Sequence, residues 1–577
     1  MLVLVLTFLG VIVFQTVLKK YGPQPAAPQT QSQPVPAPTA AATVAPVPSA
    51  PAAVTTNAVT RQASAETETV IENDLYRITF TNRGAQVKSW ILKKFDNDAQ
   101  NGLLDLVNPA AAQKFGYPLS LWTYDEPLRN RLNSALYVTS NEGRLTAPAT
   151  ITFEYAEQDL VVRKSFRFDH TYVLNVETSV VYKGSPIFAP PAWPAGFGDE
   201  VTPASYAAAG IDYHNDASTE RSGYIFFPNY VSRLAVKSIS GDNTIKGPFE
   251  WAGTGDQYFT AIFIPDDPST TAMVTLHKSM DIPQKPGFNP VGSNKDTANV
   301  DLLGAAVGSL RGPTTERMYV GPKELAVLDA VPVPTIKNDS PDLRGIVNFG
   351  WWGILSRPLF LWLKWTYNHI VHNWGWAIVL QTLIITIALL PLRITQMKSM
   401  LKMQRIQPQI KSIQERYKKY SLRDPRKAAM NEEVSALYKK EGVNPAGGCL
   451  PLLIQFPFLI AYYRMLGVAL ELRHAHWLWI TDLSAADWVL PILMVLSMVV
   501  VQRMTPQAGV DPAQQKMLTV MMPLMMGFIF FKLAAGLNLY YTESNLISIA
   551  QQAVMNRTKL GREMREMMEK RARKKDK

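Results

Sequence analysis

Cysteine is almost absent: Cys449 is the only one in 577 residues. No intrachain disulfide can form, so no part of the fold depends on one. A lone thiol at the edge of an apolar run reads as a small packing residue, not a nucleophile. Catalytic signatures are missing too, with no G-x-x-x-x-G-K-[ST] phosphate loop, no G-x-S-x-G elbow and no H-E-x-x-H zinc helix. Glu154, Asp159, Asp169 and Asp212 fall in alternating stretches, where acidic side chains on the wet face of a strand are ordinary. His474 and His476 have the spacing of neither a helix face nor a zinc knuckle. The sequence therefore points away from enzymatic catalysis and predicts no metal and no cofactor.

What the chain does have is unevenly spread. Hydrophobic residues make up 47% and charged residues 18%, averages that would suit a soluble protein. The long apolar runs, however, are confined to the N-terminus and the last third. Residues 1–18 (MLVLVLTFLGVIVFQTVL) are apolar over about the length that crosses a bilayer at ~1.5 Å per residue. They lack the basic n-region and small-x-small site of a cleaved signal, so 1–20 is expected to be an anchor. Apolar runs near 374–392, 450–470, 488–502, 517–532 and 536–556 bring the expected number of transmembrane helices to six.

Charge placement sets the expected orientation. The net charge is +11, and its cations gather between the second and third runs, from Arg393 and Lys398 to Lys439 and Lys440, and in the tail 557–577. Loops rich in Lys and Arg stay cytoplasmic. Alternation then puts residues 67–345 and the loop 471–488 outside, although Lys19 and Lys20 argue locally the other way.

Between the anchor and the core the character changes twice. Residues 21–66 are rich in Pro, Ala, Gln and Thr, a composition that cannot offset its ordering entropy and reads as a tether. Residues 67–335 alternate with period two, as in TITFEYAEQDLVVRKSFRF, and are punctuated by Gly, Asn, Asp and Pro, which predicts antiparallel sheets packed face to face. Residues 346–372 mix Trp351, Trp352, Trp362 and Trp365 with Arg357, Lys364 and His369, the mark of an amphipathic helix at the outer interface. Within the helical core 373–556, residues 395–441 read as two charged helices folded into a cytoplasmic hairpin, with LRDPR as its turn.

Polar residues recur inside the apolar runs. Thr382, Thr386 and Arg393 share one helical face, Gln455 and Tyr462 share another, and Asn538, Tyr541, Asn545, Ser548 and Gln552 step by three and four. Such faces serve either as interhelical glue or as the wall of a hydrated groove. The runs at 488–502 and 517–532 are shorter than the roughly 20 residues of a full span, and short spans thin the bilayer around them. One charge stands out in NPAGGCLPLLIQFPFLIAYYRMLG: Arg464. At a bilayer centre it costs roughly 2.5–3.5 kcal/mol and needs a partner.

The segments NWGWAIVLQTLIITIALLPL, LYKKEGVNPAGGCLPLLIQFPFLIAYY, LWITDLSAADWVLPILM, DPAQQKMLTVMMP and GLNLYYTESNLISIAQQ, with YVGPKEL upstream, resemble the YidC membrane protein insertases in the family's own order. The resemblance implies a polytopic inner-membrane protein with a large periplasmic all-β supersandwich domain. It also implies a five-helix core whose groove moves hydrophobic segments of nascent proteins into the bilayer without ATP. The implied partners are nascent membrane proteins, the SecYEG translocon, membrane lipids and, through the basic tail, the ribosome; DNA is not among them. Thr386 stands where the family usually carries its groove arginine, while Arg464 and Glu543 appear where uncharged residues are usual. These two are expected to form an intramembrane ion pair, either as a clamp or with Arg464 as a displaced groove cation. Two other functions remain open on residues alone: a channel or solute transporter using the same stripes, and an export factor binding saccharide through the sandwich.

Overall fold

A computed structural model describes residues 60–566, apart from 199, 216–230, 240, 284–296, 335–342, 351, 421–423, 443–449, 505–511, 559–561 and 563–565. The expected anchor 1–20, nearly all of the tether 21–66 and most of the tail 557–577 lie outside the described residues. The chain folds as two compact units. One carries the strands up to Gly321; Pro322–Ala330 and everything from Leu343 onward fall in the other.

Among the described residues the first unit contains three sheets, of five, ten and five strands. Its strands form where the sequence alternates. In Leu160–Phe168 (LVVRKSFRF) the side chains of Leu160, Val162, Lys164, Phe166 and Phe168 point inward, and this strand lies antiparallel between Ala149–Glu157 and Val173–Tyr182. Phe80 of the first sheet meets Phe166 and Phe153 of the ten-stranded sheet at ring separations of 5.2 and 5.8 Å, so these two sheets are stacked face to face. Trp90 and Trp193, 6.0 Å apart, join the first sheet to the third.

One core position breaks the apolar rule. Lys164 is fully buried. Its ammonium donates to the carbonyls of Gly84 (2.9 Å), Ala85 (2.6 Å) and Leu119 (2.5 Å). The unit is also not purely β. Short helices at Pro109–Phe115 and Glu126–Ser134 interrupt it, each started by a proline in the first turn and by an Asn108 or Asp125 side chain accepting from the backbone.

In the second unit the helices are α1 (Gly353–His369), α2 (Trp374–Ala388), α3 (Leu390–Arg416), α4 (Arg426–Lys440), α5 (Leu450–Val468), α6 (Val489–Met504), α7 (Pro512–Phe530) and α8 (Ala535–Arg557). α1 and α2 meet at 120°, with Asn373 capping α2 by accepting from Trp376. α3 and α4 form the expected hairpin. Ile406 and Ile410 pack on Val434, Leu437 and Tyr438, and Glu433 accepts from Arg416 and Tyr417, both at 2.6 Å.

Two expectations change here. The apolar run near 374–392 is not one helix: α2 stops at Ala388 and α3 starts at Leu390, with Pro391 in its first turn, where its missing N–H leaves no helical bond unmade. Arg393 therefore belongs to the hairpin's first helix. The six spans are also not given by the helices one for one. Among the described residues no single helix is long and apolar enough to cross a membrane; only α1 and α2 pass that test, together and bent. Shorter apolar helices cover Phe456–Val468, Val489–Met504 and Thr519–Phe530. Prolines inside α5 and α7 and polar residues along α8 dilute the apolar runs.

Candidate functional site

The polar residues of the helical unit form a ladder along α8, which packs against α2, α5 and α6. At its upper end the loop 471–488 closes the bundle. Leu483 and Ala485 carbonyls accept from Gly536 (2.8 Å) and Ala535 (2.7 Å), and His476 accepts from the Asn373 side chain (3.0 Å). Gly375 is required there, because a Cβ at that position would lie 2.2 Å from the Trp477 ring.

The next rungs are dry. Thr382, Tyr462 and Asn538 are fully buried. The Thr382 and Thr386 hydroxyls donate to carbonyls one turn back, those of Ile378 and Thr382, both at 2.7 Å. Tyr462 donates to Gln381 (2.5 Å), which donates in turn to the Leu359 carbonyl of α1 (3.0 Å). Tyr462 also stacks on Tyr540 of α8, 4.2 Å between rings. The Asn538 amide donates to the Phe530 carbonyl (3.1 Å) at the end of α7. These groups tie five helices together, and the hydroxyls of Thr382, Thr386 and Tyr462 each have a protein acceptor.

Lower down the ladder opens. Arg393 of α3, half-buried, donates through one guanidinium nitrogen to Ser548 (2.6 Å) and Gln551 (3.0 Å) of α8. Asn545 donates to Ser497 of α6 (3.0 Å). Tyr541, also half-buried, sits edge-on to Phe530. Among the described residues no carboxylate pairs with Arg393, so its charge is set among neutral oxygen acceptors and remains available to an anion. Gln455 lies on α5, but its side chain falls outside the described part.

The expected Arg464–Glu543 ion pair does not form in this structure. Arg464 is exposed on α5 four residues before the helix ends, roughly 6 Å along its axis, beside Gly350. Glu543 is half-buried among the helices with one carboxyl oxygen enclosed and unpartnered. Arg464 thus lies near the end of its helix and not at its middle, which removes the need for a buried partner. The sequence reading missed Gln381, Ser497 and Gln551. Gln381 had a signal, as an amide in a run of isoleucine and leucine, and Gln551 lies three residues after Ser548 on the same face. Ser497 had none.

Two family models match. The one for the 60Kd inner membrane protein covers residues 365–562, and the one for the YidC periplasmic domain covers 68–362. The membrane protein insertase YidC of Geobacter metallireducens is 32% identical over 559 residues, 94% of each chain. That of Citrifermentans bemidjiense is 30% identical over 508 residues, 85% of each. Among solved structures, an active YidC insertase with its first transmembrane domain resolved aligns over 86% of this chain and 94% of its own, at 18% identity and a TM-score of 0.35.

Proposed function

The chain belongs to the YidC family of membrane protein insertases, an inner-membrane family with a periplasmic domain, and from that membership we propose how it inserts. Its substrates are nascent membrane proteins. A hydrophobic segment enters beside the open lower part of the α8 ladder, its polar flank is held by Arg393, Asn545 and Gln551, and the segment then partitions sideways into lipid. No bond is made or broken. The dry rungs at Thr382, Tyr462 and Asn538 and the closing loop seal the upper end, so polar groups are hydrated from one side only.

The observation that carries this reading is Arg393, a guanidinium held by two neutral side chains of α8 with no carboxylate to cancel it among the described residues. An acidic residue flanking the substrate segment is the natural counter-ion. Membership of an insertase family decides against a solute transporter. In the topology we propose, a preceding anchor and α2, α5, α6, α7 and α8 span the inner membrane, α1 lies in the outer interface, and the α3–α4 hairpin and the tail face the cytoplasm. The placement of Lys and Arg supports this. The basic tail favours contact with the ribosome, and the Sec translocon is the proposed partner for longer substrates.

The test is insertion of a small phage-coat-like substrate in a depletion strain. Arg393→Ala removes two charge-assisted hydrogen bonds and the groove cation, and is expected to cut insertion about tenfold or more. Arg393→Lys should recover part of it. Wild-type insertion by Arg393→Ala, with no cross-link from positions 545 or 551 to substrate, would overturn the groove.

A further inference from the structure

Cations around the α1–α5 pair are treated unequally by the protein. Lys364 of α1 has two carboxylates, Glu324 at 3.1 Å and Glu471 at 2.9 Å. Arg357 of α1 and Arg464 of α5 have no ion-pair or hydrogen-bond acceptor among the described residues.

The surroundings of Arg464 are those of a lipid-facing site. Its guanidinium lies over Gly350, where a Cβ would be 3.5 Å from Nε and 3.7 Å from Cζ. Gly350 has φ +68°, a conformation that favours glycine and keeps this floor flat. Tyr463, the neighbouring residue on α5, is exposed, as are Ile354, Leu361 and Trp365, which fall on one stripe of α1. An arginine on such an apolar face reaches toward the headgroup level and takes an anion there, because leaving it bare in hydrocarbon is costly.

We propose that Arg464 binds the phosphate of a phospholipid at the exported interface, with the acyl chains on the exposed apolar surface of α1. The planar fork of the guanidinium matches two phosphate oxygens at once, which an ammonium cannot do. This inference rests on the membrane reading above.

The experiment counts phospholipids retained by the purified full chain in native mass spectrometry, and follows its thermal midpoint in detergent on adding phosphatidylglycerol or, separately, inorganic phosphate. Wild type is expected to retain a phospholipid and to gain thermal stability from phosphatidylglycerol but not from inorganic phosphate. Arg464→Leu should lose both the retained lipid and the gain while unfolding at the wild-type midpoint without lipid, and Arg464→Lys should keep part of each. If Arg464→Leu does not accumulate, Arg464→Gln carries the same test. Equal lipid retention by wild type and variant, or an equal shift with inorganic phosphate alone, overturns the proposal. Insertion by wild type is measured in proteoliposomes from the same preparation. Its failure would overturn the insertase reading, whereas the lipid count decides this inference separately.

Discussion

Lys164 and Glu316 are both buried charges of the sandwich, and the protein handles them in opposite ways. Lys164 has three carbonyl acceptors. Lys164→Met keeps the bulk but strands those carbonyls, and should cost at least about 3 kcal/mol in urea unfolding of the sandwich unit. Glu316, on strand Thr314–Pro322, is buried with neither carboxyl oxygen hydrogen-bonded. Burial, reinforced by Asp266, pushes its carboxyl well above the usual carboxylate range. At acid pH both the folded and the unfolded chain carry the proton, so the group is neutral to stability. As pH rises past the ordinary carboxylate range the unfolded chain ionises freely and the folded one resists, so stability falls. Glu316→Gln should therefore unfold at a higher temperature than wild type at pH 8, with the difference shrinking toward pH 4. Neither role was legible in the sequence: the alternation of LVVRKSFRF located the core face, but what meets an inward lysine depends on carbonyls far away in the chain. Arg393 stood out in the sequence as a cation just past an apolar run, but the structure puts it on a different helix from Thr382 and Thr386.

At the scale of elements, helix existence was readable and helix ends were not. Apolar period and turn residues located α2, α5, α6, α7 and α8, and LRDPR falls between α3 and α4, partly outside the described residues. The division of one run into α2 and α3 followed from Pro391, whose preference for a first turn outweighs the apolar run through it. Close helix approach was invisible in the sequence because it depends on what faces a glycine. A Cβ at Gly527 of α7 would lie 2.4 Å from Val495 Cγ2 of α6, whereas one at Gly467 meets nothing within 4 Å. Gly527→Val should wedge the two helices apart and cost about 1–3 kcal/mol, lowering the thermal midpoint in detergent, while Gly467→Ala should leave that midpoint unchanged. Cysteines placed singly at 398 and 485 should label from opposite faces of the membrane in intact spheroplasts, with 485 reached by impermeant reagent; labelling of both from one side would refute the proposed orientation.

For the whole molecule, the boundary between units matters more than the boundary between sequence patterns. Alternation predicts a β domain reaching 335, yet Pro322–Ala330 belongs to the helical unit, where Glu324 pairs with Lys364. A deletion of 68–321 should keep most of the insertion activity in the depletion strain, and one extending through 330 should lose it, because Lys364 then keeps only Glu471. The far-reaching bonds of Lys164 bear on how the other unit is made. Its acceptors precede it by 80, 79 and 45 residues, so a chain that leaves the membrane N-terminus first exposes all three carbonyls well before the ammonium that locks them arrives. Until residue 164 is out, Gly84, Ala85 and the turn at Leu119 have no fastening to the ten-stranded sheet at this point. The lysine that joins these three carbonyls in the finished domain is thus the last of the four partners to emerge.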